Sequence, residues 1–443
     1  MLKSITKYMT EIKKDLSRKQ FINITGKTLA VGGVLASGIV EAQTRQNGKK
    51  AQSPPARVPA SAQEPIKLEA WKSDADPASA PTPTPLPEDQ RVGYAVVGLG
   101  HLTLEEILPA LSQCEKSKLV ALVSGSPEKL KKVGEQYGVT PENRYSYENF
   151  DTIRNNKQVE IVYIVLPNGL HKEYVIRTAK AGKHILCEKP MANTADECRA
   201  MIAACDDAKV KLMVAYRIHY QPHNRYVREQ IKKKTFGNVK FVEATNSQSS
   251  ANKDHWRHKK ALAGGGALPD IGLYCLNTTR FILSEEPTEV FAYQFSTPGN
   301  PLFTEVEEIM SWQMKFPSGI IANCSTNYFV HESRRYRVMS ERGWYDIENA
   351  YAYKGQQLKT SRADGKLKIQ ETIVVPENNQ FGAEMDYFSD CIMNDKRPFS
   401  TGEEGLQDHL IMEAIYQSAK EGRPISLKSS PSYDSLHGPE VVI

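Results

Sequence analysis

Three side chains in this sequence are suited to moving a proton while a hydride moves elsewhere: Lys189, Asp270 and Tyr274. A phenol is a poor base, with an unperturbed pKa of about 10. An ammonium beside it favours the phenolate and lowers that value. Lys189 with Tyr274 would therefore form an acid/base pair that takes a hydroxyl proton while hydride passes to a nicotinamide. The spacing supports this. Cys187-Glu188-Lys189-Pro190 directly follows a short β-rich run. Gly264-Gly265-Gly266 opens onto a helical pattern in which Asp270 and Tyr274, four residues apart, share a face. Each residue also has an ordinary reading, Lys189 as a loop charge on the surface and Tyr274 as a core aromatic.

Such a pair needs a fold that presents a nicotinamide to it. Val92-Gly93-Tyr94-Ala95-Val96-Val97 reads as a strand, Gly98-Leu99-Gly100-His101-Leu102-Thr103 as a glycine turn, and the residues to Leu111 as a helix. This is the opening of a dinucleotide-binding unit. Gly98 permits the tight turn, and Gly100 lets the backbone approach a pyrophosphate at the helix N-terminus. Thr103 stands where the third glycine of the fingerprint falls. Further strands are expected at 119–123, 159–166, 184–187 and 211–215. Helices lie between them. One is capped by Ser126 and stopped by Gly138; another opens at the capping box Thr194-Ala195-Asp196-Glu197. This alternation predicts an α/β fold with a doubly wound parallel Rossmann sheet over residues 91–215. Nicotinamide adenine dinucleotide binders place Asp or Glu at the end of the second strand. Here Ser124-Gly125-Ser126 stands there, with Lys129 just after, so the phosphorylated cofactor, NADP, is expected.

After residue 215 the pattern changes. Met310, Trp312, Met314 and Phe316 alternate with Ser311, Gln313 and Lys315, as in an antiparallel strand buried on one face. Strands are expected at 239–248, 289–296, 310–316, 320–327, 336–340, 344–347 and 369–375, and helices near 381–393 and 405–421. Residues 216–443 should thus form a C-terminal α+β domain with a large, open, mostly antiparallel sheet.

Several motifs in order resemble the glucose–fructose oxidoreductase / inositol dehydrogenase family. They are Glu188-Lys189-Pro190 and Asp270-x-Gly272-x-Tyr274, together with Pro87-Glu88-Asp89, Tyr216-Arg217-x-His219-Tyr220, Trp256-Arg257, Asn378-Asn379-Gln380-Phe381 and Gly402-Glu403-Glu404-Gly405. The likeness runs over about residues 80–425. Most of that family carries His where Tyr274 stands, and the Tyr form points to a branch that keeps its cofactor. The resemblance implies roles. Gly98, Leu99, Gly100, His101 and Leu102 hold the pyrophosphate; Ser124, Gly125, Lys129 and Tyr147 surround the 2′-phosphate. Leu166, Pro167, Asn168 and His171 lie on the nicotinamide side. Glu188 and Lys189 flank the nicotinamide ribose and the substrate. Tyr274 is the acid/base and Asp270 positions a sugar. Arg217, Tyr220, Trp256 and Arg257 contact cofactor or substrate, Tyr220 on the substrate side. It also implies a dimer or tetramer through the C-terminal sheet. The expected activity is oxidation of an aldose at C1 to a lactone with tightly held NADP, and reduction of a second sugar in the same site. The alternatives are a dehydrogenase with exchangeable NADP, an NAD-dependent glycosidase, and a non-catalytic nucleotide- or sugar-binding protein.

Residues 1–42 hold seven basic and three acidic residues, then an uncharged stretch from Thr28 to Val40 and a small-residue site at Val40-Glu41-Ala42, as in an export signal. Ser17-Arg18-Lys19-Gln20-Phe21-Ile22 resembles a twin-arginine motif with Lys19 in place of the second Arg. A periplasmic or otherwise exported protein is expected, with no membrane span after cleavage. Residues 43–90 are rich in Pro, Ala, Ser and Thr and read as a tether, or as an extended arm lying on a neighbouring subunit. The leader carries most of the net +5, so charge gives no argument for nucleic-acid binding. The seven cysteines include no C-x-x-C pair, and the His219/His223 and His255/His258 spacings lack a carboxylate–cysteine cluster, so no metal is expected.

Overall fold

The computed structural model describes residues 85–250, 252–427 and 431–440. The leader and nearly all of the Pro/Ala-rich arm lie outside them. Near-continuous apolar runs form the first sheet. Its strands are β1 (Val92–Val97), β2 (Ser117–Val123), β3 (Arg144–Tyr145), β4 (Ile161–Ile164), β5 (His184–Glu188) and β6 (Leu212–Ala215). They pair in parallel in the order β3-β2-β1-β4-β5-β6. The sheet reverses direction of growth between β1 and β4, and ligands bind at such a switch point, beyond the strand C-termini. Glycine turn, Lys189 and the end of β4 all sit at that edge.

The connecting helices follow their local signals. A π-type turn, Thr103–Ile107, runs into α1 (Leu108–Leu111). In α2 (Pro127–Tyr137), Ser126 Oγ accepts from Lys129 N at 3.3 Å, and Gly138 ends the helix at φ 70°. Next come α3 (His171–Lys180) and α4 (Ala195–Ala208). Thr194 Oγ1 caps α4, and Glu197 Oε2 reaches back to Asn193 N, one residue further than a capping box requires.

The second sheet has nine strands. They are β7 (Val239–Ser247), β8 (Glu289–Phe295), β9 (Ile309–Lys315), β10 (Ile321–Asn327), β11 (Ser333–Ser340), β12 (Gly343–Glu348), β13 (Gln357–Asp364), β14 (Leu367–Ile373) and β15 (Ile425–Ser426). Their order is β14-β13-β12-β11-β7-β10-β9-β8-β15, antiparallel except for the parallel β7/β10 pair. One face buries Met310, Trp312 and Met314 of β9 with Ala322 and Cys324 of β10. On the other face Tyr293, Phe295 and Ile321 remain exposed. Behind the buried face lie α5 (Pro222–Lys232) and α6 (Leu273–Leu283).

The C-terminal helices α7 (Gln380–Met393) and α8 (Gly402–Glu421) return to the parallel sheet. Tyr94 Oη of β1 donates to Met385 O at 2.8 Å, and Ser117 Oγ of β2 donates to Asp386 at 2.8 Å. Val214 N donates to Ser400 O at 2.9 Å, which brings the approach to α8 alongside β6. Residue 215 is thus a change of sheet along the chain and not a clean cut in space. α6, which carries Tyr274, is anchored at its far end. Buried Arg280 pairs with Asp408 of α8 and with Glu286, and Asn277 donates to Glu404 and Asp408.

Candidate active site

The glycine turn forms as the spacing requires. Gly98 sits at φ +98°, and a Cβ there would meet Val165 O at 2.2 Å. Thr103, in the third glycine's place, is fully buried and donates its hydroxyl to Gly98 O at 2.6 Å, closing the turn from inside. Gly100 is different: no atom of the chain lies within 4 Å of a Cβ built on it, and it faces solvent. Its bareness leaves room for a group from outside the chain, as the pyrophosphate of a dinucleotide requires. His101 is exposed and pairs with Glu105 at 2.9 Å.

At the end of β2, Ser124 is buried and its Oγ accepts from Ser126 N at 3.2 Å. Tyr147 packs within 3.1 Å of where a Gly125 Cβ would be. Lys129 Nζ reaches back to Leu99 O at 2.9 Å, which places an ammonium at the mouth of the turn. A hydroxyl, a tyrosine ring and an ammonium thus line the region after β2 where a carboxylate would otherwise bond ribose hydroxyls. This set fits a 2′-phosphate.

The proton-handling cluster assembles where β5 ends. Lys189 Nζ donates to the backbone oxygen of Asp270 at 2.8 Å and lies 3.7 Å from its Oδ1. The same ammonium stands 4.5 Å from the Tyr274 ring centre, and the Arg217 guanidinium stands 4.9 Å from it. Two cations therefore bear on one phenol. Asp270 lies in a π-type turn, Leu268–Gly272, just before α6, so the expected single helix is wider at this point. The turn is held by sheet residues: Asn246 Nδ2 donates to Ile271 O at 2.9 Å, and Thr326 Oγ1 lies 3.4 Å from Ala267 O. Asp270 Oδ2 accepts from Arg257 Nε at 2.8 Å and from Tyr328 Oη at 2.6 Å. Burial works to raise the Asp270 carboxyl, but the charges of Arg257 and Lys189 and the hydrogen bond from Tyr328 prevail, holding it at about 2. It is a fixed carboxylate whose Oδ1 keeps acceptor capacity for a sugar hydroxyl.

Other expected residues take supporting places. Glu188 is buried and turned inward, accepting from Tyr163 Oη at 2.8 Å and from Lys189 N at 3.2 Å. Burial raises its carboxyl, opposed by Lys189. Asn168 donates to Ala263 O at 2.9 Å and so ties the nucleotide unit to the segment leading into the glycine run. His171 is fully buried, its ring nitrogens 3.0 Å from Pro190 O and 2.8 Å from Leu166 O. It braces the β4 and β5 termini from beneath the cleft. Leu166 is buried beside Gly98 and Pro167 precedes the turn at Asn168. Trp256 is half-buried and stacks on Arg257, 4.5 Å from ring centre to guanidinium.

Two expectations need correction. Tyr220 cannot touch a substrate: its ring is fully buried, packs on Tyr387, and its hydroxyl meets only Met213 Sδ at 3.9 Å. Arg217 is likewise buried and bonded to Gln380 Oε1 and Tyr351 O, so it meets the Tyr274 and Tyr353 rings and not a cofactor. Sequence reasoning missed Tyr328 and Tyr353. The alternation that buries Ala322, Cys324 and Thr326 extends to Tyr328, so one signal for it was present. Tyr353 comes from an irregular loop with no periodic signal.

A Rossmann sheet with a bare glycine turn, facing a lysine–tyrosine–aspartate cluster, defines a dinucleotide-dependent oxidoreductase. Comparisons with known proteins agree. Residues 92–216 match the oxidoreductase family with NAD-binding Rossmann fold, and residues 224–346 match the GFO/IDH/MocA C-terminal domain. The chain is 31% identical over 338 residues to a D-xylose 1-dehydrogenase [NADP(+)] of Haloarcula marismortui, covering 75% of this chain and 92% of that one. The crystal structure of aldose-aldose oxidoreductase from Caulobacter crescentus, complexed with glycerol, is 44% identical with TM-score 0.73, covering 76% of this chain and all of that one. A levoglucosan dehydrogenase complexed with NADH and L-sorbose, 20% identical with TM-score 0.67, shares the fold over 76% of this chain and 99% or more of related chains. The chain belongs to the GFO/IDH/MocA oxidoreductase family.

Proposed function

We propose that this enzyme is an NADP-dependent sugar oxidoreductase that oxidises an aldose at C1 to a lactone. The observation that carries the reading is the Lys189–Asp270–Tyr274 cluster at the C-terminal edge of β5, with Arg217 on the same phenol. The cofactor, held by the Gly98–Gly100 turn and by Ser124, Lys129 and Tyr147, supplies a hydride acceptor. Tyr274 takes the proton of the C1 hydroxyl. Lys189 and Arg217 stand over the face of its ring and place positive charge beside the phenol. Asp270 fixes the sugar through Oδ1, while Arg257 and Tyr328 keep that carboxylate in one rotamer. The D-xylose dehydrogenase and aldose-aldose oxidoreductase relatives act on sugars of this kind, which supports the substrate class.

The reading includes a closed cycle. After the lactone leaves, a second sugar enters the same cleft, its carbonyl carbon receives the hydride, and Tyr274 returns the proton to its oxygen. The Tyr274 identity supports this branch, and the leader supports export, where free NADP is scarce. The exposed Tyr293, Phe295 and Ile321 on the open sheet face support assembly into a dimer or tetramer there. The test is a panel of aldoses and ketoses on purified protein, following the reduced-nicotinamide absorbance through reduction and reoxidation. Nicotinamide that stays with the protein through gel filtration and is released on denaturation is expected. Apo protein active only with added NADP would replace the closed cycle by a simple dehydrogenase.

A further inference from the structure

The glycine run at 264–266 is not explained by the cofactor or by the acid/base pair, and what lies behind it is a carboxylate. Glu307 is buried at 3% exposure. Its Oε2 accepts from Gly266 N at 2.8 Å and its Oε1 from Leu268 N at 2.8 Å, so its two oxygens straddle the backbone at Ala267. Tyr416 Oη of α8 donates to Oε1 at 3.0 Å. These contacts explain Gly265 and Gly266. A Cβ on Gly266 would lie 2.0 Å from Glu307 O, and one on Gly265 would lie 2.1 Å from Tyr416 Oη. The backbone comes this close because nothing protrudes from it.

The braced segment is the one that carries the chemistry. Leu268 begins the π-type turn, Asp270 is two residues on, and Tyr274 four beyond that. The turn ends up at the positive end of α6, where a carboxylate is favoured. Asp270 O is the acceptor for Lys189 Nζ, so the height of this turn sets where the ammonium stands over Tyr274. A small apolar cluster of Ala267, Ile271, Leu302, Phe303, Val306 and Tyr328 packs the same turn against the residues leading into Glu307. A groove of about 670 Å³, lined by Lys260, Gly265, Glu305, Glu307 and Tyr416 among others, opens beside the glycine run.

We infer that Glu307 is a positioning residue for hydride transfer: its carboxylate fixes the Gly266–Leu268 backbone and through it the Lys189–Asp270–Tyr274 geometry. The inference rests on the assignment of Asp270 and Tyr274 to the active site. Glu307→Gln keeps size but turns an NH2 toward one of the backbone donors. The expected result is a kcat lower by about 10- to 100-fold, as a misplacement near 1 Å produces. NADPH affinity should stay close to wild type, and the thermal midpoint should fall by only the few degrees that one lost buried hydrogen bond costs. Amide exchange read by mass spectrometry should accelerate across 266–274 and nowhere else. Tyr416→Phe, which leaves both backbone bonds, should lower kcat less than threefold. Wild-type exchange in that segment for Glu307→Gln overturns the inference, and so does a fall in thermal midpoint with kcat per folded molecule unchanged. If Tyr274→Phe proves fully active, the site reading fails instead; if it is inactive while Glu307→Gln turns over like wild type, only this inference fails.

Discussion

Tyr274→Phe removes one oxygen and little else. The ring is half-buried and keeps its two cationic neighbours, Lys189 at 4.5 Å and Arg217 at 4.9 Å from the ring centre. Both contacts use the face of the ring, which Phe retains. Stability should therefore change by less than about 0.5 kcal/mol, as for a substitution outside the core. Cofactor binding should not change, because no atom of the glycine turn or of Ser124 and Lys129 is touched. What is lost is the group proposed to take the C1 hydroxyl proton. General acid–base catalysis contributes about 10²–10⁴ in rate, so kcat should fall by that factor, or about 3–5 kcal/mol in activation free energy. KM should move less than threefold, since Asp270 still anchors the sugar. The assay is steady-state reduction of nicotinamide by the best aldose of the panel, repeated with the C1-deuterated sugar. The deuterium effect on kcat should rise in the variant, because the bond-breaking step becomes the slow one. Lys189→Met should lose a comparable factor, and the double variant should be hardly worse than either single one, as for residues acting as a unit. A Tyr274→Phe enzyme with kcat within threefold of wild type, or a loss carried wholly by KM, would show that this phenol is not the proton carrier.

Asp270→Asn should raise KM for the sugar and lower stability at pH 7 by about 2 kcal/mol, the worth of a carboxyl held near 2 instead of 3.8. Because the folded value is the lower one, that contribution is complete above about pH 4 and disappears as pH falls toward 2; urea midpoints of the two proteins should converge over that window. Gly98→Ala places a Cβ 2.2 Å from Val165 O at φ +98° and should cost at least about 2 kcal/mol by urea unfolding. Gly100→Ala, with no neighbour within 4 Å, should fold like wild type yet bind NADPH weakly by fluorescence titration. Ser124→Asp should shift preference from NADP toward NAD by at least tenfold in kcat/KM, because the new carboxylate repels a 2′-phosphate and bonds ribose hydroxyls. Tyr220→Phe should leave every kinetic constant within twofold, its hydroxyl having only a 3.9 Å sulfur contact to lose.

The legible parts of this molecule are those whose cause is local. The Ser126 and Thr194 caps, the Gly138 stop, the Gly98 turn and the alternation of β9 each declare themselves within a few residues, and the structure has them all. Lys189 was legible for the same reason: a cation directly after a buried strand of a parallel sheet has one crevice to face. α5 went unread although Gln221 caps it and Pro222 opens it, because it buries His223, Asn224, Val227 and Arg228 and so shows no apolar stripe. β13 went unread because two of its three buried positions are Thr360 and Ser361. The site failed in a different way. Resemblance places a residue near a motif but does not say which way its side chain turns: Tyr220 and Arg217 share one short turn, and both point into the protein. Tyr328 reaches Asp270 from just beyond β10, and Glu307 reaches the Gly266–Leu268 backbone from just before β9, where these strands pair. A lysine at the end of a parallel strand can be read from that strand, but which carboxylate meets the opposing turn depends on which backbone comes near enough to be held. That is set by sheet register across some forty residues, and the only local trace it leaves is the glycines that make the approach possible.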